Sequence, residues 1–174
     1  MTGMGASIHA SAVLVGERAV LIRGPSGSGK SRLAFDLILC GRSGQVAPAI
    51  LVGDDRVHLA TLGGQLLVRP APALAGLIEI RGLGIRRCDH VDQAVIGLIV
   101  DLAAADAARL PAPAAFCTQI NGVKLPRIPV QANLSPLQIV IAALTTTESS
   151  LPVNVSDDCV KGISNHISPT IATE

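Results

Sequence analysis

Along residues 12–102, short apolar runs alternate with breaks that carry glycine, proline or acid. Residues 12–15 (AVLV) and 19–22 (AVLI) flank Gly16-Glu17-Arg18, which predicts a hairpin. Its second strand runs straight into Gly24. Leu33, Phe35, Leu37 and Ile38 then predict a helix over residues 31–39, with Gly41 as its stop. Residues 50–52 form a short apolar run that ends at Gly53-Asp54-Asp55. Residues 56–60 and 65–68 flank Gly63-Gly64 and predict a second hairpin.

Pro70-Ala71-Pro72 breaks the pattern. It resumes as strands over residues 77–80 and 94–102. A short Ala-rich segment, 103–109, is stopped by Pro111 and Pro113. Residues 125–130 carry Pro126 and Pro129, so they are expected extended, at a sheet edge or in a loop. Residues 137–144 predict the last helix. Beyond it, residues 145–174 are polar and are expected to be a partly disordered tail. The pattern thus predicts one α/β domain over residues 1–144, rich in hairpins, with no repeat and no second domain.

Composition narrows this further. Nearly half of the 174 residues are hydrophobic, yet Phe35 and Phe116 are the only aromatics, so the core must be aliphatic. A binder that stacks bases on aromatic rings is excluded. With 14 basic and 13 acidic residues, the chain has no basic field for nucleic acid. The cysteines Cys40, Cys88, Cys117 and Cys159 form no C-x-x-C pair, which predicts free thiols in a reducing cytosol. The first residues, MTGMGASIHAS, have neither a cationic nor an apolar leader region, and the apolar runs are too short to span a membrane. A soluble, cytoplasmic protein is expected.

The chemistry concentrates at Gly24-Pro25-Ser26-Gly27-Ser28-Gly29-Lys30-Ser31, which matches G-x-x-x-x-G-K-[ST] at every fixed position. Glycines let successive N–H groups turn inward onto phosphate oxygens, and the following helix presents its positive end to the same anion. Lys30 is suited to the β/γ-phosphates and the Ser31 hydroxyl to Mg²⁺. A predicted strand before the loop and a helix after it are the context this motif requires.

Such a loop needs an acidic partner for the metal, and several positions compete. Asp101 ends an apolar strand and on hydropathy is the usual choice. Asp54-Asp55 suits a different task. Neighbouring strand side chains point to opposite faces, so one carboxylate can support or bind metal while the other faces an acceptor hydroxyl as general base. A plain turn is an equal reading of that pair. Glu79, inside an apolar run, is either edge-exposed or a ligand.

Four segments in this order, IHAS at 8–11, GPSGSGKS at 24–31, LVGDD at 51–55 and IEIRGLGI at 78–85, resemble the catalytic domain of HPr kinase/phosphorylase, in its short proteobacterial form. The resemblance covers roughly residues 8–144 and rests most on IEIRGLGI. It implies a P-loop kinase core of the PEP carboxykinase-like kind, with a mixed sheet and several hairpins. It implies ATP at residues 24–31, Mg²⁺ on Ser31 and Glu79, and catalytic roles for Lys30, for Asp55 with Asp54 beside it, for His9 and for Arg109. The implied partner is HPr or a related phosphocarrier of the phosphotransferase system, not nucleic acid or membrane, and a homo-oligomer stays open.

The chain also departs from that family. Where the family continues P-V-R-P-G-R, this chain has Pro129-Val130-Gln131-Ala132-Asn133, without either arginine. That puts the phosphorolytic reverse reaction in doubt. Residues 42–49 are longer than usual. The family's C-terminal helical segment is not recognisable in residues 145–174, so neither hexamer formation nor metabolite control is carried over. Two other readings share the P-loop: a small-metabolite kinase, and a nucleotide-binding regulator whose catalysis has decayed.

Overall fold

The computed structural model describes residues 6–147. Two α-helices, a large mixed sheet and a small two-stranded sheet make up most of this part of the chain. β1 (Ser7–Ile8) leads into the hairpin of β2 (Ser11–Val15) and β3 (Arg18–Arg23). Then follow α1 (Lys30–Arg42), β4 (Ala49–Gly53), β5 (Val57–Leu62), β6 (Gln65–Pro70), β7 (Leu77–Ile80) and β8 (Gly84–Arg87). The central strand β9 (Ala94–Leu102), β10 (Cys117–Ile120), β11 (Val123–Val130) and α2 (Pro136–Thr145) complete it.

The strand order is β1-β5-β6-β9-β3-β2-β4, with β11 added to β9 and β10 to β11. β3, β9 and β11 run parallel, Ile22 beside Val100 and Ile128 beside Val100. β3 and β9 are buried along most of both faces, which is why their sequences read as nearly unbroken apolar runs, whereas β11 is buried mainly at its last three residues. On one face Val20, Ile22, Leu98, Val100, Leu102, Ile128 and Val130 pack against Leu33, Leu37, Val140 and Leu144 of the two helices. On the other face Leu21, Ile96 and Ile99 meet Val52, Val57, Leu66 and Val68. Here the sheet covers itself: β4, at one end of the order, lies against β6. Each fully buried Leu, Ile or Val contributes about 1.5–3 kcal/mol, enough to make an aliphatic core sufficient.

Several expectations need correction. Gly41 does not stop α1, which continues to Arg42. Its role is close packing: a Cβ at Gly41 would stand 2.5 Å from the Ala49 backbone nitrogen. The turn comes later, at Gly44, where φ is +75°. The expectation for the proline-bearing residues 125–130 holds, by contrast: they lie extended at a sheet edge, in β11. Its first half pairs with β10 and its second half with β9, so each half leaves one side free of ladder bonds. The strand β8, paired with β7 in a small separate sheet, was not foreseen, because its residues are all exposed and show no apolar alternation. Cys40 and Cys88 are free thiols, whereas Cys117 is engaged in a disulfide, so the expectation of free thiols fails there. The polar tail lies almost wholly outside the described residues.

Candidate active site

The phosphate loop is strung between the end of β3 and the start of α1. Gly24 has φ +153°, and a Cβ there would come within 2.7 Å of Ser28 Oγ and 2.9 Å of Leu102 Cβ. Only glycine lets the chain leave β3 this close to β9. Gly29 caps α1 in the left-handed region, φ +95°, with no side-chain capping bond and no acid in the first turn. The first N–H groups of the helix therefore remain available to an anion. Ser28 Oγ is buried without a hydrogen-bond partner among the described residues, a polar atom suited to a phosphate oxygen.

Lys30 is buried, and its Nζ donates to Gly24 O at 3.0 Å and Pro25 O at 2.9 Å. Burial lowers its pKa, against the attraction of Asp54 and Asp55, which acts to raise it. The two aspartates are therefore electrostatic neighbours of the loop lysine although they lie beyond a different strand.

The two neighbouring carboxylates occupy different environments. Asp54 is buried. Its Oδ1 accepts a 2.5 Å hydrogen bond from Ser11 Oγ, and its Oδ2 accepts one from the Glu79 backbone N–H at 3.1 Å. It thereby ties β2 and β7 to the end of β4. Asp55 takes up φ +65°, an uncommon conformation for a residue other than glycine, and turns its side chain out to 61 % exposure. There it meets His9 Nε2 at 3.1 Å. Strand register explains the meeting: Ile8 pairs with Val57 on one side and Ala12 with Gly53 on the other, so His9 must face the turn at 54–56.

Glu79 lies exposed on β7, whose backbone is fixed to Asp54 and which packs against α1, the helix bearing Ser31. Among the described residues no group of three or more His, Cys, Asp or Glu side chains could hold a metal alone. A hydroxyl and a carboxylate are hard oxygen donors, which fits Mg²⁺ that keeps its remaining positions for phosphate and water. Arg109 stands in the exposed segment after β9, without a hydrogen bond or ion pair among the described residues.

Asp101, the alternative metal residue by hydropathy, is differently engaged. Arg23 Nε and Nη2 each reach it at 2.7 Å, and Arg127 Nε adds a third bond. Burial pushes its pKa up, but the hydrogen bonds from Arg23 and Arg127 outweigh this and hold it below the usual aspartate value. Ser11, Arg23, Asp106 and Arg127 were not singled out from sequence. Ser11 stands within the IHAS segment noted for His9, but its bond to Asp54 spans 43 residues and has no local signal. Residues 130–132 and 134, where the family's arginines are missing, line a cavity of about 150 Å³ beside Gly27 and Ser28.

Comparison with known proteins identifies the family and the fold. Residues 3–153 match the family model described as "HPr Serine kinase C-terminal domain". The HPr kinase/phosphorylase of Mycoplasma mycoides is 40 % identical over 77 residues, 44 % of this chain and 22 % of that protein. The HPr kinase/phosphorylase of Neisseria meningitidis serogroup C is 39 % identical over 98 residues, 52 % of this chain and 28 % of that protein. The matched parts thus span about a quarter of these relatives' own length. The solved structure of the HPr(Ser) kinase/phosphatase from Coxiella burnetii superposes with a TM-score of 0.64 at 27 % identity, covering 78 % of this chain and 91 % of that one.

Proposed function

Since the chain belongs to the HPr serine kinase C-terminal domain family, we propose that it is an ATP- and Mg²⁺-dependent serine kinase whose acceptor is the phosphocarrier HPr or a related carrier of the phosphotransferase system. The observation that carries this reading is the exposed Asp55–His9 pair, set in the electrostatic field of the phosphate-loop lysine. A small-metabolite kinase would share the loop, but the match over residues 3–153 is to a protein-serine kinase domain.

In this mechanism the loop N–H groups and Ser28 Oγ bind the phosphates of ATP. Lys30 exchanges the carbonyls of Gly24 and Pro25 for phosphate oxygens. Bound Mg²⁺, held through Ser31 and Glu79, would supply charge neutralisation of the transferring group. The acceptor serine oxygen attacks the γ-phosphorus, its proton passes to Asp55, and the bond to the ADP oxygen breaks. His9 orients Asp55. Asp54 holds the turn from below, supporting the base rather than touching the acceptor. Arg109 supplies positive charge to the phosphoryl group in flight.

Phosphorolysis of the phosphoserine by inorganic phosphate is weakened, because Gln131 and Leu134, at the two positions where the family has arginine, carry no charge beside the loop. Residues 1–144 act as one catalytic domain. The described residues contain no helix long and apolar enough to cross a membrane; it is the proposed acceptor, a phosphocarrier of the phosphotransferase system, that assigns the enzyme to the cytoplasm. Incubation with ATP, Mg²⁺ and purified HPr should give phosphoserine by mass spectrometry. No phosphoserine on an HPr that a known kinase does modify would refute the proposal.

A further inference from the structure

Arg127 is 13 % exposed in its side chain, yet it spends its whole guanidinium on three separate parts of the chain. Nε binds Asp101, Nη1 binds Asp106 at 2.6 Å and Ala115 O at 3.0 Å, and Nη2 binds the other Asp106 oxygen at 2.9 Å. Asp101 in turn holds Arg23, the residue immediately before Gly24. A continuous charged chain thus runs Arg23–Asp101–Arg127–Asp106. It crosses the ends of β3 and β9 and the middle of β11 and leads from the phosphate loop to the segment that follows β9.

That segment has little else to hold it. It leaves β9 through Ala103, a non-glycine residue at φ +54°. Ala104 N–H donates to Val130 O at 3.0 Å, and Ala107 O accepts from Gln131 Nε2 at 3.4 Å. Each tether comes from β11 or the residue after it. Residues 108–110 are exposed, and Leu110 reaches 87 %. Arg109 stands just past the last tether. An exposed ion pair ordinarily contributes little, but this one is bidentate and its arginine is fixed by a second, partly buried aspartate, so it can orient as well as attract.

We propose that the Asp106–Arg127 pair is a positioning device that sets where the Arg109 segment stands relative to the phosphate loop. The proposal rests on the reading of Arg109 given above. Asp106 touches neither nucleotide nor acceptor; it acts through Arg109. Its carboxylate is half exposed, so removing it leaves the Arg23–Asp101–Arg127 cluster in place.

The test is a double-mutant cycle in the kinase assay on the full chain, with Asp106→Ala, its near-isostere Asp106→Asn, and Arg109→Ala. Either Asp106 variant should lower kcat by about ten- to a hundredfold, leave KM for ATP unchanged and leave Tm unchanged. In the Arg109→Ala background the same substitution should have no further effect. Without nucleotide, trypsin should cut after Arg109 several-fold faster in the Asp106 variants than in the parent protein. Additive losses, an unchanged kcat, or unchanged cleavage with an impaired Arg109→Ala would overturn the positioning role alone. A fully active Arg109→Ala would overturn it together with the reading of Arg109. Failure of the parent protein to phosphorylate HPr would instead refute the kinase assignment.

Discussion

Two apolar strands of this protein end in aspartate, and their ends behave in opposite ways. β9 ends at Asp101-Leu102, where the carboxylate is clamped by Arg23 and Arg127. β4 ends just before Asp54-Asp55, where one carboxylate is buried on a serine and a backbone N–H and the other is turned out to His9. Hydropathy favours Asp101 as the residue that serves the phosphate loop. Its partners weigh against that: its oxygens already accept three guanidinium bonds, so metal would have to compete with them. The lesson is that acids at two strand ends that look alike in sequence differ in what surrounds them, and that the one with hydrogen-bond capacity to spare is Asp55.

The sharpest way to break the contrast is Asp55→Ala. Removing a general base should lower kcat for phosphoserine formation by about 10²–10⁴-fold, while ATP affinity measured by calorimetry stays nearly unchanged. A rate close to that of the parent protein would move the base elsewhere. Asp101→Ala should do the reverse kind of damage. It leaves two arginines facing one another without their shared acid, and urea unfolding should show a loss of about 3–5 kcal/mol.

Asp54→Ala should fall between the two in character and below both in size. It leaves the buried Ser11 hydroxyl and the Glu79 N–H without their acceptor, a cost of about 1–3 kcal/mol. It should also slow transfer by loosening the turn that carries Asp55. The smallest effect is the pH dependence of stability. The Asp101 pKa is held below its ordinary value of 3.8, so its stabilisation is fully present above that pH. It is lost as pH falls through the lower, folded-state value. Acid titration of the unfolding free energy should show this loss, and Asp101→Asn should flatten that part of the curve.

Much of the scaffold was legible along the chain. The β2–β3 hairpin, β4, the Gly63-Gly64 hairpin, β9 and α2 stand within a few residues of where the apolar pattern placed them. Each is a local pattern of apolar runs and turn residues, and local patterns are what a sequence displays. β8 was not legible, because a strand with no buried face writes no alternation. Gly41 was misread for a related reason: a glycine required by a neighbouring strand looks the same in sequence as a glycine that ends a helix.

By itself the sequence determined the phosphate loop, the strand and helix on either side of it, and the family resemblance carried by IHAS, LVGDD and IEIRGLGI. Only the tertiary structure decided how the acids divide their work. Asp54 finds Ser11 across 43 residues and Glu79 across 25, and Asp101 finds Arg23 across 78. Ser11 and Arg23 meet their acids through sheet register and Glu79 meets Asp54 through the docking of a separate hairpin, and both are set by which apolar faces pack together rather than by any neighbour along the chain.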